Sequence, residues 1–394
     1  MISTFNFSPI RPAMQRYVDQ GILAGVSFAL LHGQELVYQD CVGWANIEQA
    51  IPLREDHLFR VFSNTKLITS IAVMRLVENG TLQLDMPIAA ILPQLGHRRV
   101  LLPHARHVDE TVAASSQITV RHLLCHSSGL GYGLFDRGSL LYDLYVQRKV
   151  FDPFSSLENL IDILADLPLN FEPGTAWQYS IASDVLARAI EVVTGQRFED
   201  FLQQAIFDPL DMRDTFFTVP PEKQARLVAY YAGSDPMNRL RRPLKLLAEA
   251  PYSQANLQAV ARHGGGSGLV SSLPDMLKLV RCLMPNAQPV LLSRESISTM
   301  MTNQLPQGVG INFPTVGAVP NKGFGLGGAV TLAASKEDPP DAAGEFEWGG
   351  IAGTHWWISP RHNTAGILMA QRKMAFWHPF SFEFKRLAYA ALRG

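Results

Sequence analysis

A chain of 394 residues, 47% hydrophobic and 18% charged, is long enough for two lobes or for one large domain carrying an insertion, with the composition of a packed globular protein. The formal net charge of −1 supplies no long-range attraction to nucleic acid or anionic lipid, so neither is expected as a partner. Cys41, Cys125 and Cys282 are odd in number and far apart, which gives no disulfide framework and suits a reducing compartment.

The N-terminal stretch "MISTFNFSPIRPAMQRYVDQGILAG" lacks the basic start and unbroken apolar run of a secretory signal. No segment is long and apolar enough to span a bilayer, so a cytoplasmic protein without a membrane partner is expected. "GVSFALLHGQELVYQDCVGWAN" reads as two strands around the turn His32-Gly33-Gln34. From Asn64 to Asn79, Leu67, Ile68, Ile71, Val73, Met74 and Val77 recur at helical spacing, and Gly80 stands where a C-terminal cap belongs. The middle is mostly helical, through "TVRHLLCH", "LLYDLYVQRKVF", "SLENLIDILADL", "IASDVLARAIEVVTG" and "FEDFLQQAIF", with Gly195 a second cap. Loops such as "LNFEPGTAW" and "SDPMNRLRRPL" separate these helices. Strand patterns return after residue 320 in "FGLGGAVTLAA", "GEFEWGG", "THWWISP" and "TAGILMAQ", and "FSFEFKRLAYAALRG" closes the chain as a helix. Strands at both ends around a helical middle predict one antiparallel sheet built from both termini. The expected division is an α/β domain from 1–84, 174–206 and 266–394, with a helical insert from 85–173 and 207–265.

The chemistry begins at "SNTK", residues 63–66. Ser63 and Lys66 lie one helical turn apart and share a face. Ser63 falls at the helix N-terminus, where free N–H groups favour a developing negative charge. Ser-x-x-Lys by itself recurs by chance about once in a few hundred residues, and an N-cap serine before a surface lysine is its plain reading. The strongly apolar helix that follows argues instead for a buried pair.

Together with "YSI" at 179–181 and "WGG" at 348–350, in that order, "SNTK" resembles the motifs of the serine β-lactamase-like superfamily and, within it, the family VIII carboxylesterases. "LLCHSSGLGYG" at 123–133, "FEPGTAWQYSIASDVLARAIEVVTG" at 171–195 and "GGGSGLVSSLPDMLKL" at 264–279 extend the likeness from about residue 20 to 390. The resemblance implies an α/β fold with an antiparallel sheet flanked by helices and an inserted all-helical domain. It implies Ser63 as the acylated nucleophile, with Lys66 and Tyr179 moving its proton. Backbone N–H groups of Ser63 and Ile351 would form the oxyanion hole, and no cofactor or metal is called for. Free lysine and tyrosine titrate near ~10.4 and ~10. Burial of the amine and its charge beside the phenol are what would bring such a pair to work at neutral pH. Which of the two is the immediate base stays open.

Two departures set the branch. β-Lactamases and penicillin-binding peptidases begin the third motif with lysine, where this chain has Trp348, an apolar plate with one N–H donor. Class C β-lactamases place asparagine where Ile181 stands here. Losing a cation and an amide donor weakens recognition of a drug or peptide and favours hydrolysis of a neutral ester, a small-molecule substrate; a β-lactamase or D-amino-acid peptidase, an acyltransferase using the same acyl-enzyme, and a non-catalytic penicillin-binding-like scaffold are the alternatives. Gly349 and Gly350 let an edge strand lie close to that substrate. Tyr132 and Phe135 are candidates to line the acyl pocket, and Phe376, Trp377 and His378 to approach it. "HGGG" at 263–266 resembles the oxyanion loop of α/β-hydrolases, but no Gly-x-Ser-x-Gly elbow follows, so its glycines are read as entry to the strand "GLVSS". His122 and His126, four apart around Cys125, and the loop residues His104 and His107 carry no zinc signature and are read as structural.

Overall fold

The computed structural model describes residues 5–234, 243–249, 255–313 and 317–393; most of the "SDPMNRLRRPL" loop lies outside the described residues. Helix α1 (Ile10–Asp19) precedes strands β1 (Gly25–His32), β2 (Glu35–Asn46) and β3 (Ile51–Pro52). The other end of the chain supplies β4 (Lys322–Phe324), β5 (Ala329–Thr331), β6 (Phe346–Gly350), β7 (Thr354–Ser359) and β8 (Thr364–Ala370). These eight strands form one antiparallel sheet in the order β4-β5-β6-β7-β8-β1-β2-β3. The two termini meet at β1 and β8, where Val26 faces Ala370 and His32 faces Thr364.

Alternation along the strands divides two apolar layers. Val26, Phe28 and Leu30 of β1, with Trp357 of β7, point to a layer shared with α1 and the C-terminal helix α5 (Pro379–Arg393). Ala29 and Leu31, with Trp356 and Ile358, point the other way. There they meet α2 (Thr65–Glu78), α3 (Ala182–Thr194) and α4 (Leu273–Arg281). Helix α2 is buried nearly all round, with eleven residues from Thr65 to Leu76 inaccessible, which is why its apolar positions spread beyond one stripe. It ends at Gly80, φ +78°, and α3 ends at Gly195, φ +67°, both in the left-handed region that glycine enters without steric cost. No helix among the described residues is long and apolar enough to cross a membrane.

The segments between the two ends carry the expected helices, including Val120–Leu124, Tyr142–Gln147 and Leu157–Ala165. They are not wholly helical. Arg99–Leu101 pairs with Thr111–Ala113, and Tyr231–Gly233 with Leu244–Leu246; short runs with β-branched or aromatic members suffice for such pairs. His104 and His107 sit exposed in the turn between the first two.

Candidate active site

The nucleophile's place is set by a short strand, Leu58–Arg60, paired antiparallel with Val270–Ser272. The chain leaves that pairing through Val61, whose N–H donates to Leu269 O at 3.0 Å. Phe62 follows at φ +46°, a left-handed conformation that costs a residue with a bulky side chain about 1–2 kcal/mol. That bend brings Ser63 into a 3-10 turn, Phe62–Asn64, directly ahead of α2. The first N–H groups of such a turn lack intrahelical acceptors. Ser63 keeps 8% of its surface exposed and Lys66 only 1%, so the hydroxyl is reachable and the amine is sealed beneath it.

Lys66 Nζ donates to three oxygens: Gly266 O at 2.7 Å, Ser63 Oγ at 3.4 Å and Tyr132 Oη at 3.4 Å. Among the described residues no carboxylate comes within 4.0 Å of it. The nearest acidic influence is Asp184 in the first turn of α3, a buried residue. Burial pushes the Asp184 carboxyl up, and the positive charges of Lys66 and Arg262 pull it part of the way back. The glycine triplet makes this arrangement possible. A Cβ on Gly265 would lie 2.1 Å from Ser183 O, and one on Gly266 would lie 2.6 Å from Asp184 Oδ2 and 3.2 Å from Lys66 Nζ. These glycines therefore press a backbone carbonyl onto the lysine, a more specific task than entry to a strand.

Tyr179 arrives on the extended segment before α3, fastened to the neighbouring loop by Gln178 N to His126 O and Ile181 N to Gly131 O, both 3.0 Å. Its ring lies over Lys66, with Nζ 4.6 Å from the centroid, while its hydroxyl accepts from Trp348 Nε1 at 3.3 Å. Thus the phenol within hydrogen-bond reach of the amine is Tyr132, and Tyr179 offers the amine its π face. Tyr132 is buried rather than a loose wall of the pocket: its N–H is held by Asp136 Oδ2 at 3.0 Å and its ring stacks on Phe135 at 5.7 Å. His126 packs its ring 4.8 Å from that of Tyr179 and shares a 3.0 Å hydrogen bond with Ser180 Oγ. His122 instead caps its own short helix through Thr119. The two histidines serve different neighbours.

On the other side of Ser63 stands β6. A Cβ on Gly350 would fall 2.5 Å from Val61 O and 2.4 Å from Thr354 Oγ1, so only glycine lets this strand touch the bend that presents the nucleophile. Ile351 follows directly, its carbonyl held by Ala375 N at 2.9 Å. β6 is third from the end of the sheet and not an edge strand as the sequence suggested. Its pairing with β5 nevertheless stops at Glu347, which leaves Trp348–Gly350 paired only with β7. A Cβ on Gly349 would lie 2.7 Å from Thr354 O, so this glycine faces backbone rather than open space. Phe376 and Trp377 do reach the site, with rings 5.1 and 5.5 Å from Trp348. His378 does not: it turns toward α1, against Tyr17, and caps α5 through Phe380 N. Phe313, 5.8 Å from Tyr179, completes an aromatic wall and carries no motif that would have announced it.

A family model described as Beta-lactamase matches residues 10–377. The chain belongs to the beta-lactamase family. Among its relatives in that family, "Esterase EstB" of Burkholderia gladioli is 32% identical over 355 residues, 86% of this chain and 83% of that one. "Lovastatin esterase" of Penicillium rubens is 30% identical over 401 residues, 92% and 96% of the two chains. The solved structure of "EstCE1, a hydrolase with promiscuous acyltransferase activity" superposes with a TM-score of 0.81 over 98% of both chains at 24% identity, a likeness of fold. This beta-lactamase-family chain is accordingly an enzyme of the hydrolase class.

Proposed function

We propose that the protein hydrolyses neutral carboxylic esters, short-chain or aryl, through an acyl-enzyme on Ser63, as a family VIII carboxylesterase. The observation that carries this reading is the buried Lys66 amine 3.4 Å from the Ser63 hydroxyl, in a family some of whose members are named esterases. Ser63 Oγ attacks the ester carbonyl and its proton passes to the Lys66 amine 3.4 Å away, which has the Tyr132 hydroxyl at 3.4 Å and the Tyr179 ring over it. The N–H groups of Ser63 and Ile351 hold the oxyanion. Collapse of the tetrahedral adduct breaks the C–O bond to the alcohol, which leaves with the transferred proton. Water then attacks the acyl group by the same route and releases the acid. An alcohol in place of water gives acyl transfer, a second reading favoured by the promiscuous acyltransferase activity ascribed to EstCE1.

Two features support an ester over a β-lactam or a peptide. Trp348 stands where a cation would grip a carboxylate, and Ile181 is fully buried with its side chain in the core, so it offers nothing to an amide. The test pairs wild type with Ser63→Ala on p-nitrophenyl butyrate, nitrocefin, and the ester with added alcohol. Intact mass and peptide mapping after an acyl phosphonate identify the labelled residue. Expected are fast ester turnover, slow nitrocefin turnover, label on Ser63 alone, and a loss of at least ~10³-fold in Ser63→Ala. Undiminished turnover in that variant, or label elsewhere, would overturn the reading; ester product exceeding acid when alcohol is present would move it to acyl transfer.

A further inference from the structure

Alternation along β6 sends Trp348 to the Tyr179 side of the sheet and Glu347 to the opposite side, beneath α5. There a second charged cluster is sealed from water. Lys322 Nζ donates to Glu347 Oε1 at 2.6 Å, Thr331 Oγ1 at 2.6 Å and Asp338 Oδ1 at 3.2 Å. Lys385 Nζ donates to Glu347 Oε2 at 2.5 Å and Glu345 Oε2 at 2.7 Å, and lies 3.8 Å from Asp338 Oδ1. His355 Nε2 is 3.6 Å from Glu347 Oε2, and the Tyr389 hydroxyl donates to Glu345 Oε1. None of these ionisable residues is more than 5% exposed.

Burying so many charges is costly, and apolar residues of equal volume would serve stability as well or better. The geometry shows what the charges add. Glu347 accepts one lysine on each carboxylate oxygen, one from the outermost strand β4 and one from α5. Such a two-sided grip fixes the carboxylate and, with it, the strand that bears it. It falls at the last residue of β6 paired with β5, where the strand goes on held from one side only. The next residues are those that face the chemistry: Trp348 donates to Tyr179, Gly350 lies on Val61, and Ile351 follows.

We propose that Glu347 is a positioning residue, whose carboxylate, clamped between Lys322 and Lys385, sets the place of Trp348–Ile351 against Ser63 and Tyr179 and so governs acylation. This rests on the ester-hydrolase reading of Ser63. The experiment measures steady-state turnover of p-nitrophenyl butyrate, the rate of acylation by an acyl phosphonate, the pH profile of kcat and the thermal midpoint. The variants are Glu347→Gln and the charge-balanced Glu347→Gln/Lys322→Met. Expected in Glu347→Gln is a fall of about tenfold or more in both kcat and acylation rate, with KM within about twofold and a displaced pH profile, as a misplaced constellation gives. The double variant is expected to recover the midpoint while acylation stays slow. Should the single variant not fold, the double carries the same reading. Wild-type kcat and an unshifted pH profile in either folded variant, or acylation that recovers together with the midpoint, would overturn the proposal. Ser63→Ala runs alongside: if it is inactive while Glu347→Gln behaves as wild type, only the positioning role falls, whereas an active Ser63→Ala removes the reading beneath it.

Discussion

Lys66 and Lys385 are buried lysines on opposite faces of one sheet, and their partners differ in kind. Lys385 is bonded to Glu345 and Glu347. Burial would lower its pKa, but the charges of Glu345, Glu347 and Asp338 hold it above the ordinary value, so it keeps its proton and acts as a fixed charge. Lys66 is bonded to a carbonyl and two hydroxyls, and among the described residues to no carboxylate. A hydroxyl partner can exchange a proton with an amine, and a carboxylate partner merely retains it. One lysine is placed for chemistry and the other for architecture.

The sharpest way to break that contrast is to remove each amine in turn. Lys66→Met is expected to lower kcat by ~10³-fold or more while the thermal midpoint stays within a few degrees of wild type. Lys385→Met strips the buried Glu345 of its lysine and leaves Glu347 with one lysine instead of two, and is expected to cost about 3–5 kcal/mol of stability by urea denaturation. Equal effects of the two on both measurements would erase the distinction. Next in size is Gly350→Ala. Its methyl would meet Val61 O at 2.5 Å and Thr354 Oγ1 at 2.4 Å, pushing β6 off the nucleophile, with ~10²-fold expected off kcat/KM. Gly344→Ala, on the loop leading to the back-face cluster, has no neighbour within 4 Å but sits at φ +87°. It is expected to lower stability by about 1–2 kcal/mol and to leave kcat/KM alone. Trp348→Phe keeps the aromatic packing and deletes one N–H to Tyr179; a five- to tenfold drop in kcat is expected, on the order of 1 kcal/mol.

The same contrast explains what can be read from the sequence. Ser63 and Lys66 are three residues apart across a 3-10 turn that leads straight into α2, so local periodicity is enough to join them, and Gly80 and Gly195 announce the ends of α2 and α3 through backbone chirality alone. Tyr179 and Trp348 can be placed only by resemblance, because nothing local tells a side chain what it will meet far along the chain. Asp184 stands in the helix stretch "IASDVLARAIEVVTG" as an ordinary polar position; that it approaches Lys66 depends on three glycines some eighty residues later. The back-face cluster is illegible for another reason. Lys322, Asp338, Glu345, Glu347 and Lys385 are residues that normally stay on the surface, and only the closing of α5 over β6 buries them.

Within that cluster the two glutamates make opposite predictions about pH. Burial alone would raise the Glu347 carboxyl, but Lys322, Lys385 and His355 bring it well below the ordinary carboxylate range. Burial raises Glu345 too, and there the neighbouring Glu347 charge helps it to stay raised despite Lys385. A depressed carboxylate contributes stability that is present above its unfolded pKa, about 4.3, and is lost as pH falls toward the folded value. A raised one works the other way, since the folded state then holds the proton more tightly and stability declines as pH climbs from the unfolded to the folded pKa. The deficit of Glu347→Gln relative to wild type is therefore expected to be largest at pH 7 and to shrink toward pH 4. The deficit of Glu345→Gln should be larger at pH 4 than at pH 7. Thermal midpoints for the two variants and wild type, taken across that range, should diverge by a few degrees, and parallel curves would show that the two carboxyls are not shifted in opposite directions.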